Sequence, residues 1–111
     1  MIVSIVGIGL LGGSLALALR EKYPNMTFLG VDKSVVHQKI ALAKGIVDRI
    51  VDLDEAIASS ELVVLSTPVD VITKLLPTVL DKLPAGSTVI DFGSTKEQIC
   101  AIADKHPKRK Q

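Results

Sequence analysis

Three glycines and one aspartate hold the clearest chemistry in this sequence. Gly7, Gly9 and Gly12 stand at the spacing G-x-G-x-x-G inside IVSIVGIGLLGG, an apolar run that stops at glycine and resumes with a helical pattern. In a strand–turn–helix unit each has its own task. The first permits the tight turn, the second lets backbone approach a pyrophosphate, and the third lets the new helix pack against the strand it left. The N–H groups opening that helix, with their partial positive charge, then face the phosphates. Asp32 lies about 20 residues further on, where such units place an acid that accepts hydrogen bonds from both hydroxyls of the adenine-linked ribose. A carboxylate there repels a 2′-phosphate, so the pattern favours NAD over NADP. Lys33, beside it at the same edge, works against that discrimination.

Two further clusters follow. Ser66, Thr67 and Pro68 end a short apolar run and are expected to border the cofactor cleft. Ser94 and Lys96 lie in DFGSTKEQI, after another apolar run. Ser94 is spaced from Glu97 as in a capping box, which accounts for both residues structurally. Asp91 and Lys96 are not explained as caps, and a strand-end Ser beside a Lys could touch either a nicotinamide or an acidic substrate.

The elements needed to position these residues can be read from periodicity. Ile2 to Val6 is a strand; Leu11, Leu15 and Leu19 form the stripe of a helix; Thr27 to Val31 is a second strand ending at Asp32. Ser34 caps a second helix on which Val36, Ile40 and Ala43 share a face, and Gly45 stops it. His37 on that helix reads as a solvated surface residue. Residues 46–51 suit a short third strand, with a brief helix from Asp54 to Ser60. Leu62 to Leu65 has the continuous apolar character of a fully buried strand. Thr67 is placed to cap the next helix, with Pro68 in its first turn. Ile72, Leu75, Leu76, Val79, Leu80 and Leu83 give that helix its apolar face, which Pro77 should kink or reset. Thr88 to Phe92 is a fifth strand, and Ile99 and Ile102 give a last helix its core face. The sum is an α/β fold: a Rossmann-type, doubly wound, mainly parallel sheet of about five strands flanked by helices.

Composition narrows the class. The 111 residues suit one domain, and 48% hydrophobic with only 3% aromatic residues describes an aliphatic interior. The net charge of +1 hides an uneven distribution. Without Lys105, Lys108, Arg109 and Lys110 near the end, nine basic residues face twelve acidic ones, a balance that argues against nucleic acid as partner. The uncharged first 19 residues resemble a membrane span only superficially, because four glycines interrupt them and no basic segment precedes them. The single cysteine, Cys100, excludes an internal disulfide and suits a reducing cytoplasm. One Cys and two separated His offer no metal-ligand cluster.

In order along the chain, GIGLLGGSLALAL, VDKS, STPVD and DFGSTK resemble the prephenate/arogenate dehydrogenase family over almost the whole length. The resemblance implies hydride transfer from prephenate or arogenate to NAD(P), coupled to decarboxylation, in tyrosine biosynthesis. It implies that Gly7, Gly9 and Gly12, with the backbone of Leu10 and Leu11, hold the pyrophosphate. Asp32 would hold the adenine ribose, with Lys33 adjoining. Ser66, Thr67 and Pro68 would line the cleft. Ser94 would lie near the nicotinamide and substrate, and Lys96 would support its loop, so these two are the catalytic candidates. The family's hydride-transfer His stands in an H-P-x-x-G segment after a sixth strand. His106-Pro107 comes too soon after Lys96 and is flanked by KRK, so it does not match that segment. Residues 1–111 therefore read as the NAD(P)-binding domain of a larger enzyme, without its catalytic His or its helical dimerisation domain. That portion is expected to bind NAD without turning substrate over. Another Rossmann reductase, acting on hydroxyacids or imines, and a non-catalytic NAD(H)-responsive module are the alternative readings.

Overall fold

A computed structural model of the chain describes residues 1–67 and 69–90, with the side chains at 10, 11, 69 and 70 left aside. Strands and helices alternate: β1 (Ile2–Val6), α1 (Leu10–Lys22), β2 (Thr27–Val31), α2 (Val35–Ala43), β3 (Arg49–Ile50), α3 (Leu53–Ser59), β4 (Leu62–Leu65), α4 (Val69–Lys82) and β5 (Thr88–Ile90). All the strand pairings are parallel, and the sheet order is β3-β2-β1-β4-β5. The order reverses between β1 and β4. In an open parallel sheet this is the switch point, and the carboxyl ends of the two strands there diverge into a crevice.

Both faces of the sheet are covered, which is why its central strands are mainly apolar and β4 is an unbroken apolar run. Val3, Ile5, Leu62, Val64 and Phe28 pack with Ala16 and Leu19 of α1 and Ala41 of α2. Val6, Val63 and Leu65, alternating with them along the strands, pack with Ile57 of α3 and with Ile72 and Val79 of α4. Each Val, Leu, Ile or Phe side chain among them, fully removed from water, contributes about 1.5–3 kcal/mol. Two buried hydroxyls interrupt this interior, and they satisfy one another: Ser4 Oγ and Ser60 Oγ share a hydrogen bond.

Four local expectations need correction. The third strand shortens to Arg49 and Ile50, because Asp48 and Val51 on either side spend their N–H groups on Phe28 and Gly30 of β2 as loop contacts. The brief helix starts one residue earlier, at Leu53, with Asp52 as its N-cap accepting from Glu55 N–H, and ends at Ser59. The face shared by Val36, Ile40 and Ala43 points outward, with Val36 64% and Ile40 44% exposed; α2 meets the core through Ala41 instead. In α4, Leu80 is likewise exposed, while the helix runs through Pro77 as one element. Among the described residues no helix is long and apolar enough to cross a membrane. Asp91 and Phe92, the capping pair Ser94 and Glu97, Ile99, Cys100, Ile102 and His106 lie outside the described residues.

Candidate functional site

The glycine turn is built from its backbone outward. Gly7 has φ of +91°, a conformation that side chains other than glycine's strain to adopt. Its N–H donates to Val31 O at 2.7 Å, which carries the β1–β2 pairing one residue past the strand. A Cβ at Gly7 would meet Thr67 Cγ2 at 2.8 Å, and one at Gly12 would overlap the Gly7 carbonyl oxygen. These two glycines are required by the protein's own packing. Gly9 differs, since the nearest atom to an added Cβ is His37 Cε1 at 3.6 Å, an ordinary contact. Gly9 is the N-cap of α1 and offers no side-chain cap, and the first turn of α1 holds no acidic residue. The N–H groups and positive end of that helix thus carry no side-chain cap and no acid of their own, which suits an anion at that end.

Asp32 ends β2 at the same edge. Its Oδ2 accepts from Ile8 N–H at 2.9 Å and lies 3.1 Å from His37 Nδ1; its Oδ1 accepts from Ser34 N–H at 2.8 Å. An ionised carboxylate only accepts, so His37 Nδ1 carries the proton. Partial burial pushes the Asp32 carboxyl up, but the backbone donors Ser34 and Ile8 and the His37 ring outweigh it and hold the group below its ordinary value. It is an anion tied to the glycine turn on one side and to α2 on the other.

Across the switch point, Ser66 follows β4. Its hydroxyl proton is shared between the carbonyl oxygens of Gly7 and Val6. Thr67 comes next, and its Oγ1 is buried with no hydrogen-bond partner among the described residues. Among the described residues Thr67 Oγ1 thus makes no capping bond to α4, where one was expected. A buried hydroxyl without a partner costs about 1–3 kcal/mol, so it stands out in a chain that satisfies even its Ser4–Ser60 pair.

Gly7, Gly9, Asp32, Lys33, Ser66 and Thr67 together border one cavity of about 430 Å³, completed by Val6, Val31, His37, Leu53, Val71 and Leu75. Its floor is apolar and its polar groups converge at the glycine turn, the usual character of a small-molecule site. Gly12 lies behind this wall, packed on Gly7, and Leu10 and Leu11 open α1 beside it. Pro68, Ser94 and Lys96 lie outside the described residues. His37 is the member that sequence reasoning missed. It is the third residue of α2, with its N–H on the Ser34 cap, and that position folds its ring back over Gly9. An N-cap two residues after a strand-end acid, followed three later by a polar side chain, was the available signal.

Residues 15–111 match the family model described as prephenate dehydrogenase, nucleotide-binding domain. A prephenate dehydrogenase of Lactococcus lactis subsp. cremoris is 33% identical over 102 residues, and one of Bacillus subtilis is 29% identical over 103. Each alignment covers 91% of this chain, and the chain spans 28% of either relative's length. Among solved structures, prephenate dehydrogenase from Aquifex aeolicus in complex with hydroxyphenyl propionate and NAD+ superposes with a TM-score of 0.74 at 29% identity, over 82% of this chain and 32% of that one. Synechocystis arogenate dehydrogenase gives 0.72 at 26% identity with the same coverage. The family match covers most of the chain, the solved structures superpose on its parallel α/β fold, and the chain belongs to the prephenate dehydrogenase nucleotide-binding domain family.

Proposed function

We propose that this chain is the NAD-binding portion of a cytoplasmic dehydrogenase that oxidises and decarboxylates prephenate to 4-hydroxyphenylpyruvate in tyrosine biosynthesis. The single observation that carries the cofactor reading is Asp32, an anionic carboxylate bonded to Ile8 N–H inside the glycine turn, at the carboxyl end of β2 and on the wall of the cleft. The residues fit a dinucleotide on independent grounds. No backbone crowds Gly9, which only the His37 ring faces at contact distance, the start of α1 carries no side-chain cap or acid, and the Thr67 hydroxyl is buried at the cleft with no partner among the described residues.

In this reading the backbone of Gly7, Gly9, Leu10 and Leu11 holds the pyrophosphate, and Gly12 keeps α1 close behind it. Asp32 accepts from the adenine ribose, Lys33 flanks it, and Ser66, Thr67 and Pro68 line the far wall. Ser94 lies near the nicotinamide and substrate, with Lys96 supporting its loop. NAD, when bound, supplies the hydride acceptor; this chain's part is to fix its position and exclude water from the cleft. Prephenate is preferred to arogenate as substrate because both curated relatives are named for it. A helical second domain would supply the His of hydride transfer and a homodimer contact.

Calorimetric titration of the chain with NAD and NADP, repeated for Asp32→Asn, tests the cofactor assignment. NAD preferred by the native chain, with a preference that shrinks in the variant, is the expected result. Equal affinity for both nucleotides in the native chain would overturn the role given to Asp32. Assay of the full-length gene product with prephenate and with arogenate tests the substrate.

A further inference from the structure

Resting on that nucleotide reading, we infer that His37 is a displaceable donor on the ribose acid: it holds the place of a ribose hydroxyl on Asp32 and must swing aside for the adenosine to bind. A carboxylate offers about four acceptor positions. Among the described residues three are used, by Ile8 N–H and His37 Nδ1 on Oδ2 and by Ser34 N–H on Oδ1. A ribose diol needs two. One donor must therefore leave, and the three are not equally able to. Ile8 N–H belongs to the glycine turn and Ser34 N–H to the start of α2, so releasing either would rebuild the backbone. His37 is a side chain, 46% exposed, with two rotatable bonds.

The surroundings give its ring somewhere to go. It separates the cleft from a second cavity of about 300 Å³, bordered by Gly13, Ser14, Leu17, Ile40 and Lys44. His37 borders both cavities, and its Cε1 lies over the Gly9 face across which a pyrophosphate would enter. Rotation into the second cavity would free Oδ2 and clear Gly9 in one movement. His37 is thus a positioning residue that tunes nucleotide affinity through Asp32 and touches no reacting atom.

The test is a double-mutant cycle on NAD affinity by calorimetry, using the native chain, His37→Ala, Asp32→Asn and the pair. Removing a half-exposed donor that competes for the carboxylate should tighten NAD binding by about two- to fivefold. In the Asp32→Asn background the same substitution should give a clearly smaller gain, since only the clearing of Gly9 is left to contribute. As a readout independent of affinity, the His37 ring resonance should shift on titration of the native chain with NAD; only His106 shares its residue type. Weaker or unchanged binding by His37→Ala overturns the inference, and so does an equal gain with and without Asp32. Failure of the nucleotide reading looks different, because the native chain itself would then show no heat with NAD and neither variant would restore it; that result overturns both.

Discussion

Ser66 Oγ donates its proton to the carbonyl oxygen of Gly7, joining the end of β4 to the turn that closes β1. The two strands flank the switch point, so this bond fixes the width of the cleft as well as the shape of the turn. Ser66→Ala leaves both backbones in place and withdraws the donor from a half-buried carbonyl. A loss of about 1–2 kcal/mol in urea-unfolding stability is expected, with weaker NAD binding. Unchanged stability would show that the Val6–Ser66 backbone bond, N–H to O at 2.9 Å, holds the edge by itself.

Two glycines of one motif are expected to fail in different ways. A Cβ at Gly12 overlaps the Gly7 carbonyl and crowds Ser66 Oγ, so Gly12→Ala must push α1 off the sheet. Overpacking of this kind costs about 1–3 kcal/mol or more. Gly9→Ala meets nothing closer than 3.6 Å and should cost under about 1 kcal/mol, as the change of an N-cap does. Its loss should fall on the nucleotide, through the Cβ placed in the path of the phosphates. Urea melts and NAD titrations on both variants separate the two effects. Similar stability losses would mean that Gly9 is also a packing glycine.

Acid stability offers a third check, away from the cleft. Asp48 pairs in a fork with the Arg20 guanidinium and accepts from Phe28 N–H at 2.8 Å. The Arg20 bond, working against burial and helped by Phe28 N–H, holds its carboxyl below the ordinary value. A carboxyl lowered in the folded state stabilises it above the unfolded value of about 3.9 and loses that contribution as pH falls through the folded value. Asp32 is lowered as well and adds to the same limb. Asp48→Asn should therefore be less stable than the native chain at neutral pH, with the gap narrowing below about pH 4. Thermal melts from pH 7 to 2.5 would record it. A constant gap across that range would place the role of Asp48 in neutral hydrogen bonding, which Asn keeps in part.

Sequence periodicity located these elements well where burial on both sides of the sheet leaves almost only apolar residues, as in Leu62 to Leu65 and in Ile2 to Val6, where Ser4 alone is polar. The glycine spacing located the turn because two of its glycines answer to backbone geometry, which a sequence pattern can encode. It failed on α2, where Val36 and Ile40 have helical spacing yet face outward, since periodicity finds an apolar face but does not say what covers it. It also missed Asp48 and His37. Asp48 acts through a contact formed only when the sheet brings α1 to the loop before β3, whereas His37 joins a local bond to Asp32 with an approach of its ring to Gly9 that only the folded chain makes. Thr67 was read as a cap from its neighbours alone, and only the folded chain shows its hydroxyl buried without a bond among the described residues.

That hydroxyl sets a trade between stability and binding. Thr67 Oγ1 is shut from water and bonded to nothing among the described residues, while its Cγ2 methyl packs beside Gly7. Thr67→Val keeps the shape and removes the polar atom, so the folded state no longer bears its desolvation. A gain of about 1 kcal/mol in unfolding free energy is expected. A hydroxyl kept at such a cost beside a cleft is of the kind that a ligand satisfies, so the same variant should bind NAD several-fold more weakly. Thr67→Ser, which keeps the oxygen and loses the methyl, should do the reverse, retaining affinity and losing stability. Calorimetry and urea melts on the two variants decide it. If valine raised stability and left affinity untouched, the hydroxyl would be a defect of packing and the cofactor's polar contacts would lie on the opposite wall, at Asp32 and the glycine turn.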